Sequence, residues 1–167
     1  MRTFFMDVYM RKLVLALTVL FAAFAFTACL KSEEPTPFDY QAQWKTDSTT
    51  ISNYINTNSL TGVQKTSTGL NYQIIEEGTG VAPAAASIVT VGYTGKFTNG
   101  NVFDSSESFK YQLNRLIPGW IEGLQKIKEG GKMKLLVPSH LGYGPYANGP
   151  IPANSVLIFD IELKKVE

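Results

Sequence analysis

Val91-Gly92-Tyr93-Thr94-Gly95, Val102-Phe103-Asp104-Ser105-Ser106 and Ile117-Pro118-Gly119-Trp120 are the pieces of sequence that decide how this chain is read. They set aromatic rings and one carboxylate at points where the backbone turns. Binding groups concentrate on loops held by a rigid scaffold, so aromatics in turns point to the lining of a pocket. Tyr143-Gly144 and Ile151-Pro152, further along, are candidates for its other side.

The flanking sequence has β texture. Residues 88–97 alternate, with Ile88, Thr90, Gly92 and Thr94 against Val89, Val91, Tyr93 and Gly95. That period of two predicts a half-buried strand. Thr98-Asn99-Gly100-Asn101 is a hairpin signal, because Asn-Gly tolerates positive φ. Val102-Phe103 resumes a strand, and Phe109, Tyr111 and Leu113 alternate again. Upstream, residues 70–75 form a strand that turns at Glu76-Glu77-Gly78-Thr79-Gly80. Downstream, Pro118 suits the first turn of a short helix, where its missing N–H costs nothing. Trp120, Leu124 and Ile127 share one face of that helix, and Gly130-Gly131 is expected to end it. Residues 132–137 read as a strand with Met133, Leu135 and Val137 on one side. Residues 138–153 make a long loop rich in Gly and Pro. Residues 156–166 form the last strand, Ile158, Asp160, Glu162 and Lys164 opposite Leu157, Phe159, Ile161 and Leu163. The sum is an α+β domain of antiparallel strands and one short helix over about 100 residues, large enough to bury a core without staples.

A helix is expected ahead of it, over residues 39–58. Trp44, Ile51, Tyr54 and Ile55 make one apolar stripe, Asp47 and Ser48 are candidates to cap its later half, and Asn58 to end it. The stripe suits packing on the following domain; the sharper alternative is a dimer contact. Residues 65–69 read as a polar connector.

The front end of the 167-residue chain has a different character. Arg11 and Lys12 precede an uncharged apolar run over residues 13–28, and Cys29 follows at once. Basic start, apolar core and small residues at the end describe a secretory signal segment, with Met10 as an alternative start to Met1. Cys29 is the single cysteine, so no intramolecular disulfide can form. Thr27-Ala28-Cys29 resembles the lipobox of bacterial lipoproteins, although Phe26 stands where Leu is usual. Lipidation of Cys29 is the expectation; the alternatives are a free or buried thiol and an uncleaved anchor. Two or three acyl chains on the cysteine would anchor stably in a membrane. Removal of residues 1–28 takes away Arg2, Arg11, Lys12 and Asp7 and moves the net charge from +1 to −1. No basic patch recommends nucleic acid as a partner. Residues 30–38 are polar and proline-rich, a tether reaching roughly 30–35 Å at most, and Ser32-Glu33-Glu34 resembles an acidic signal for the outer face. The expected organisation is a signal peptide at 1–28, a lipidated cysteine and tether at 29–38, a helical segment at 39–68 and the β domain at 69–167.

From residue 69 to the end, the sequence resembles the FKBP family of peptidyl-prolyl isomerases. The matching motifs run in order: Val91-Gly92-Tyr93-Thr94-Gly95, Phe103-Asp104-Ser105-Ser106, Phe109-Lys110-Tyr111, Ile117-Pro118-Gly119-Trp120-Ile121-Glu122-Gly123-Leu124, Pro138-Ser139-His140-Leu141-Gly142-Tyr143-Gly144 and Ile151-Pro152-Ala153-Asn154-Ser155. The resemblance implies a twisted antiparallel β-sheet wrapped around the short α-helix. It implies a pocket of Tyr93, Phe103, Asp104, Phe109, Leu116, Ile117, Trp120, Tyr143, Ile151 and Phe159. Trp120 would be its floor and Phe103 and Phe159 its walls. The N–H of Ile117 and the hydroxyl of Tyr143 would hold carbonyls of a bound peptide. Asp104 would polarise the site or hold Tyr93, its plainer alternative being a turn-forming Asp before two serines. The implied partners are proline-containing peptides, unfolded exported proteins and macrolide inhibitors. Tyr111 in place of Phe, Ala153 in place of a second proline and a short loop over residues 145–150 depart from the family pattern.

The chemistry suits this composition. An X–Pro bond is slow to isomerise because amide resonance must be broken. The twisted amide has a less polar carbonyl, and a dry aromatic pocket favours it. Neither metal, cofactor nor nucleophile is required, consistent with His140 being the single histidine, read here as a surface loop residue. The same pocket with little turnover would be a proline-peptide-binding chaperone or adaptor. A third class, a glycan-binding surface lipoprotein, would need exposed rings in place of a closed pocket.

Overall fold

A computed structural model describes residues 38–167. The expected signal segment, Cys29 and all of the tether except Phe38 lie outside the described residues. Residues 39–167 form one compact unit.

It begins with α1 (Tyr40–Thr57). Asp39 caps the helix, its Oδ1 accepting from the N–H groups of Gln41 at 3.0 Å and Ala42 at 2.9 Å, which satisfies two donors that have no partner inside a helix. Thr46, Thr49, Thr50 and Ser52 donate back to carbonyls four residues earlier, so the serine- and threonine-rich sequence stays helical. Asn58 closes it, Nδ2 donating to the Tyr54 carbonyl at 2.8 Å, and Ser59 turns away at φ 50°. The helix is unbroken at Asp47 and Ser48, which cap nothing. Asp47 lies mid-helix with 2% exposure, and its role is taken up below.

The strands are β1 (Gln64–Lys65), β2 (Asn71–Glu76), β3 (Ile88–Phe97), β4 (Val102–Gln112), β5 (Lys132–Val137) and β6 (Leu157–Val166), with α2 (Pro118–Leu124) between β4 and β5. They form one antiparallel sheet in the order β1-β2-β5-β6-β3-β4. β1 falls at the start of the segment read as a connector. Its two residues pair with Tyr72 and Asn71 and are exposed, so no apolar pattern announced it.

One face of the sheet carries the main core. Met133, Leu135 and Val137 of β5 and Leu157, Phe159, Ile161 and Leu163 of β6 pack with Trp120 and Leu124 of α2 and with Ile127. Two glycines let α2 lie close: a Cβ at Gly119 would sit 2.7 Å from Val137, and one at Gly123 would sit 2.6 Å from Leu135. α2 ends at Leu124, earlier than the glycine pair at 130–131 suggests. The N–H groups of Lys126 and Ile127 bond three residues back, to the Gly123 and Leu124 carbonyls, and the donors after them are claimed elsewhere: Lys128 N–H by the Glu77 carbonyl, Glu129 N–H by Val81 and Gly130 N–H by Leu163. Ile127 is still buried with the helix face, through a turn.

The other face is covered in part by α1. Ile51, Leu136, Val156 and Ile158 form a second cluster flanked by Tyr54 and Ile55. This is the packing role expected of the α1 stripe, although Trp44 stays largely exposed. Burying Ile51 here stabilises the docked helix by about 1.5–3 kcal/mol.

Beyond the helix, this face is charged. Asp160 on β6 is flanked by Lys96 on β3, at 3.0 Å, and by Lys134 directly opposite on β5. Partial burial disfavours the Asp160 carboxylate, but the two ammonium groups outweigh it and hold its carboxyl below the usual carboxylate range. The unfolded chain therefore binds this proton more readily than the folded one. The stabilisation is full above the ordinary carboxylate value of about 4 and fades as pH falls through the lower folded value. Chemical denaturation at a series of acidic pH values is expected to show falling stability below about pH 4, with a shallower fall in Asp160→Asn. Equal slopes in both proteins would remove Asp160 from the account.

Candidate functional site

β4 places two consecutive residues on the same side, which a regular strand cannot do. Gly95 pairs with Asp104 and Lys96 with Val102, so Phe103 is an extra residue in a bulge. A second irregularity sets Val91 against Phe109 and Tyr93 against Ser106, leaving Glu107 and Ser108 opposite Gly92. Inward positions therefore change from even numbers, at Asp104 and Ser106, to odd numbers, at Phe109 and Tyr111. Bulges re-aim side chains in this way. Phe103, Asp104 and Phe109 consequently border the same cavity.

That cavity has a volume of about 430 Å³. Its lining holds all the residues implied by the family resemblance: Tyr93, Phe103, Asp104, Phe109, Leu116, Ile117, Trp120, Tyr143, Ile151 and Phe159. Asn148, Gly149 and Pro150 also line it and were not anticipated. Asn148 and Ile151 exchange backbone hydrogen bonds of 2.9 and 3.0 Å around Gly149, whose φ is +55°. The Asn-Gly pair was the available signal for this tight turn, which brings the short loop over the cavity.

Trp120 sits at the bottom with 4% exposure. Its ring meets Tyr93 edge-on at 5.1 Å and 84° and Phe159 edge-on at 5.2 Å and 88°. Phe103 stands edge-on to Phe159 at 5.7 Å, and Phe109 to Tyr93 at 5.9 Å. Such edge-to-face contacts are worth about 0.5–1.5 kcal/mol each beyond burial. They lock the rings against one another and leave a concave, mainly apolar surface. Trp120 Nε1 is buried and makes no hydrogen bond among the described residues.

Polar groups are few and placed at the rim. Tyr93 donates its hydroxyl to Asp104 Oδ2 at 2.5 Å. Burial, then the Asp104 hydrogen bond and charge, push the Tyr93 phenol well above its ordinary range, so it stays a neutral donor. Asp104 Oδ1 also accepts from the N–H of Ser105 at 2.9 Å, so the carboxylate both holds Tyr93 and shapes its own turn. Ile117 precedes α2 in extended conformation, and its N–H has no partner among the described residues. The side chain of Tyr143 is partly exposed, between Gly142 and Gly144. The arrangement offers apolar walls, three donors not engaged by the protein among its described residues (Trp120 Nε1–H, the Ile117 N–H and the Tyr143 hydroxyl) and a clamped phenol–carboxylate pair. It can bind a compact apolar group with adjacent carbonyls, and it contains no nucleophile–base pair.

A family model described as FKBP-type peptidyl-prolyl cis-trans isomerase matches residues 80–164. Over 110 residues the chain is 49% identical to the FKBP-type peptidyl-prolyl cis-trans isomerase FkpA of Aeromonas hydrophila, a match covering 64% of this chain and 41% of that protein. Identity to FkpA of Escherichia coli K12 is 46%, over the same shares of the two chains. The chain thus spans about two-fifths of the length of the curated relatives it matches. The crystal structure of FkpA from Escherichia coli matches with a TM-score of 0.67 at 37% identity, over 89% of this chain and 71% of that one. A peptidyl-prolyl cis-trans isomerase from Pseudomonas syringae matches with a TM-score of 0.68 at 30% identity, over 79% and 98%.

Gly95 tests the wall geometry. A Cβ there would lie 2.6 Å from the Phe103 ring and 3.1 Å from Phe159. Gly95→Ala is expected to displace Phe103 into the cavity and to cost about 1–3 kcal/mol of stability, read by urea unfolding. Trp120→Ala is expected to cost about 3–5 kcal/mol in the same measurement. Losses under 1 kcal/mol in both would contradict the packing described.

Proposed function

Because the chain belongs to the family of FKBP-type peptidyl-prolyl cis-trans isomerases, we propose that it catalyses cis–trans isomerisation of X–Pro bonds in exported proteins. The observation that carries the reading is the aromatic cavity above Trp120, with the Ile117 N–H and the Tyr143 hydroxyl at its rim.

The proline ring enters between Phe103, Phe159 and Tyr93 and rests on Trp120. Rotation about the X–Pro bond faces a barrier of about 18–20 kcal/mol, because resonance holds the amide planar. Midway, conjugation is lost and the carbonyl is less polar, so it gives up less hydration on entering the cavity than the planar amide does. The aromatic walls thus favour the twisted state. The donors of Ile117 and Tyr143 hold flanking carbonyls and fix the chain on either side of the rotating bond. Asp104 keeps Tyr93 in place at the cavity wall. A thousandfold acceleration asks for only about 4 kcal/mol of such differential binding.

The substrates on this reading are proline-containing segments of unfolded exported proteins, and macrolide rings are candidate inhibitors of the same cavity. A second reading, a chaperone or adaptor module with little turnover, draws on the exposed Tyr111, Tyr143 and Tyr146. We also propose that residues 1–28 are a signal peptide, that Cys29 is lipidated and that residues 30–38 tether residues 39–68 and the isomerase domain at 69–167 to a membrane of the cell envelope. Its support is the apolar run that ends directly at the single cysteine.

A protease-coupled assay on X–Pro peptides tests the activity. Asp104→Val and Tyr143→Phe are each expected to lower kcat/KM by about tenfold while the protein stays folded, the scale of one lost hydrogen bond to a charged or buried group. Turnover absent from the unmutated protein, with peptide still shifting tryptophan fluorescence, would favour the adaptor. For the anchor, Cys29→Ser is expected to move the protein from the membrane fraction to the soluble fraction. Retention in the membrane would refute lipidation as the tether.

A further inference from the structure

We propose that Asp47, on α1, is a positioning residue for Tyr143. The inference rests on the functional reading above, in which the Tyr143 hydroxyl holds a substrate carbonyl. The carboxylate is 2% exposed, and its nearest partners are all donors. Asp47 Oδ2 accepts from Ser139 N–H at 2.8 Å and from Ser139 Oγ at 2.7 Å, and Oδ1 accepts from Gln43 Nε2 at 2.7 Å. A carboxylate is kept this far from water only where hydrogen bonds replace its hydration.

Ser139 is the root of the loop that carries Tyr143. Its carbonyl accepts from Gly142 N–H at 2.9 Å and from Gly144 N–H at 2.8 Å, the two residues that bracket Tyr143. Gly144 in turn accepts from Asn154 N–H at 2.8 Å, which ties the loop to its far end just before β6. Fixing both the N–H and the hydroxyl of Ser139 therefore fixes the direction of its carbonyl, and with it the peptide units on either side of Tyr143. Gly142 and Gly144 leave Tyr143 no side-chain packing from its immediate neighbours, so these backbone bonds carry its placement.

A second attachment runs beside the first. Trp44 stacks on His140 at 5.0 Å and 19°, and His140 Nε2 lies 2.9 Å from the Thr68 carbonyl. Thr68 Oγ1 donates to Glu122 at 2.6 Å, on the helix that also holds Trp120. α1 thus reaches both the rim and the floor of the cavity from the opposite face of the sheet. His140 is an exposed loop residue, as expected, but a packed one.

The test is X–Pro turnover in Asp47→Ala and Asp47→Asn, each with and without Tyr143→Phe, together with amide exchange at Gly142 and Gly144. Asp47→Ala is expected to lower kcat/KM about tenfold when Tyr143 is present and by less than about twofold when it is Phe, because two changes acting through one group are not additive. Asp47→Asn is expected to recover most of the rate. Its amide oxygen can take both Ser139 donors while Gln43 turns its own oxygen toward the new NH₂. Exchange at Gly142 and Gly144 is expected to quicken in Asp47→Ala. Should Asp47→Ala not fold, Ser139→Ala removes only the hydroxyl donor and should show the same dependence on Tyr143 with a smaller loss. Equal losses in both backgrounds, or unchanged exchange, would leave Asp47 as a packing group and overturn the proposal. Unchanged turnover in Asp47→Ala beside an active unmutated protein would overturn it alone; an inactive unmutated protein would overturn the functional reading beneath it.

Discussion

The close seating of α2 on β5 is the constraint on which the rest depends. Gly119 and Gly123 face Val137 and Leu135 at distances that no side chain would allow. That approach carries Trp120 down to the sheet, where Tyr93 and Phe159 meet its edges. A helix held a methyl group further away would lift the indole out of register with both rings. The floor, the two nearest walls and the Ile117 N–H at the start of the helix are therefore set by one packing contact.

The second requirement is an edge strand that does not alternate. β4 changes which parity faces inward as it crosses Glu107 and Ser108, and it adds Phe103 to the inward set near its start. Asp104 can then clamp Tyr93 across the strand pair while Phe103 and Phe109 close the sides. Rigid aromatic packing and a few polar groups at the rim divide the labour: the former selects a shape, and the latter orient what enters.

Where periodicity and packing agree, the sequence was legible. Residues 88–97 alternate because Val89 and Val91 face the main core, residues 132–137 keep the pattern through Met133, Leu135 and Val137 although Leu136 is buried on the other face under α1, and their bounds agree with β3 and β5. The cavity residues were found through motifs whose order matches a known family. Features created by long-range hydrogen bonds were not legible. Asp47 looked like a cap because acidic residues favour helix starts, and only the fold brings Ser139 to it. α2 stops at Leu124, where the Lys126 and Ile127 N–H groups tighten to bonds three residues back and distant carbonyls then take the donors of Lys128 to Gly130. β1 pairs through its backbone and a polar side-chain bond, the Tyr72 hydroxyl to Gln64 Oε1 at 2.8 Å, with no apolar residue to mark it. Asn148 to Pro150 reach the cavity through a turn whose signal, Asn-Gly, says where the chain reverses but not what it covers.

The bulges of β4 have a consequence beyond aiming side chains. β4 is the outermost strand on its side of the sheet, and an outermost strand offers unpaired backbone groups to any extended chain nearby. A protein whose proposed substrates are unfolded chains meets that hazard continually. The irregularities at Phe103 and at Glu107-Ser108 divide the outer rim into short segments, while Glu107 and Lys110 add charge along it. On the opposite border, β1 is only two residues long. Neither border gives a nearby extended chain a long straight template on which to pair.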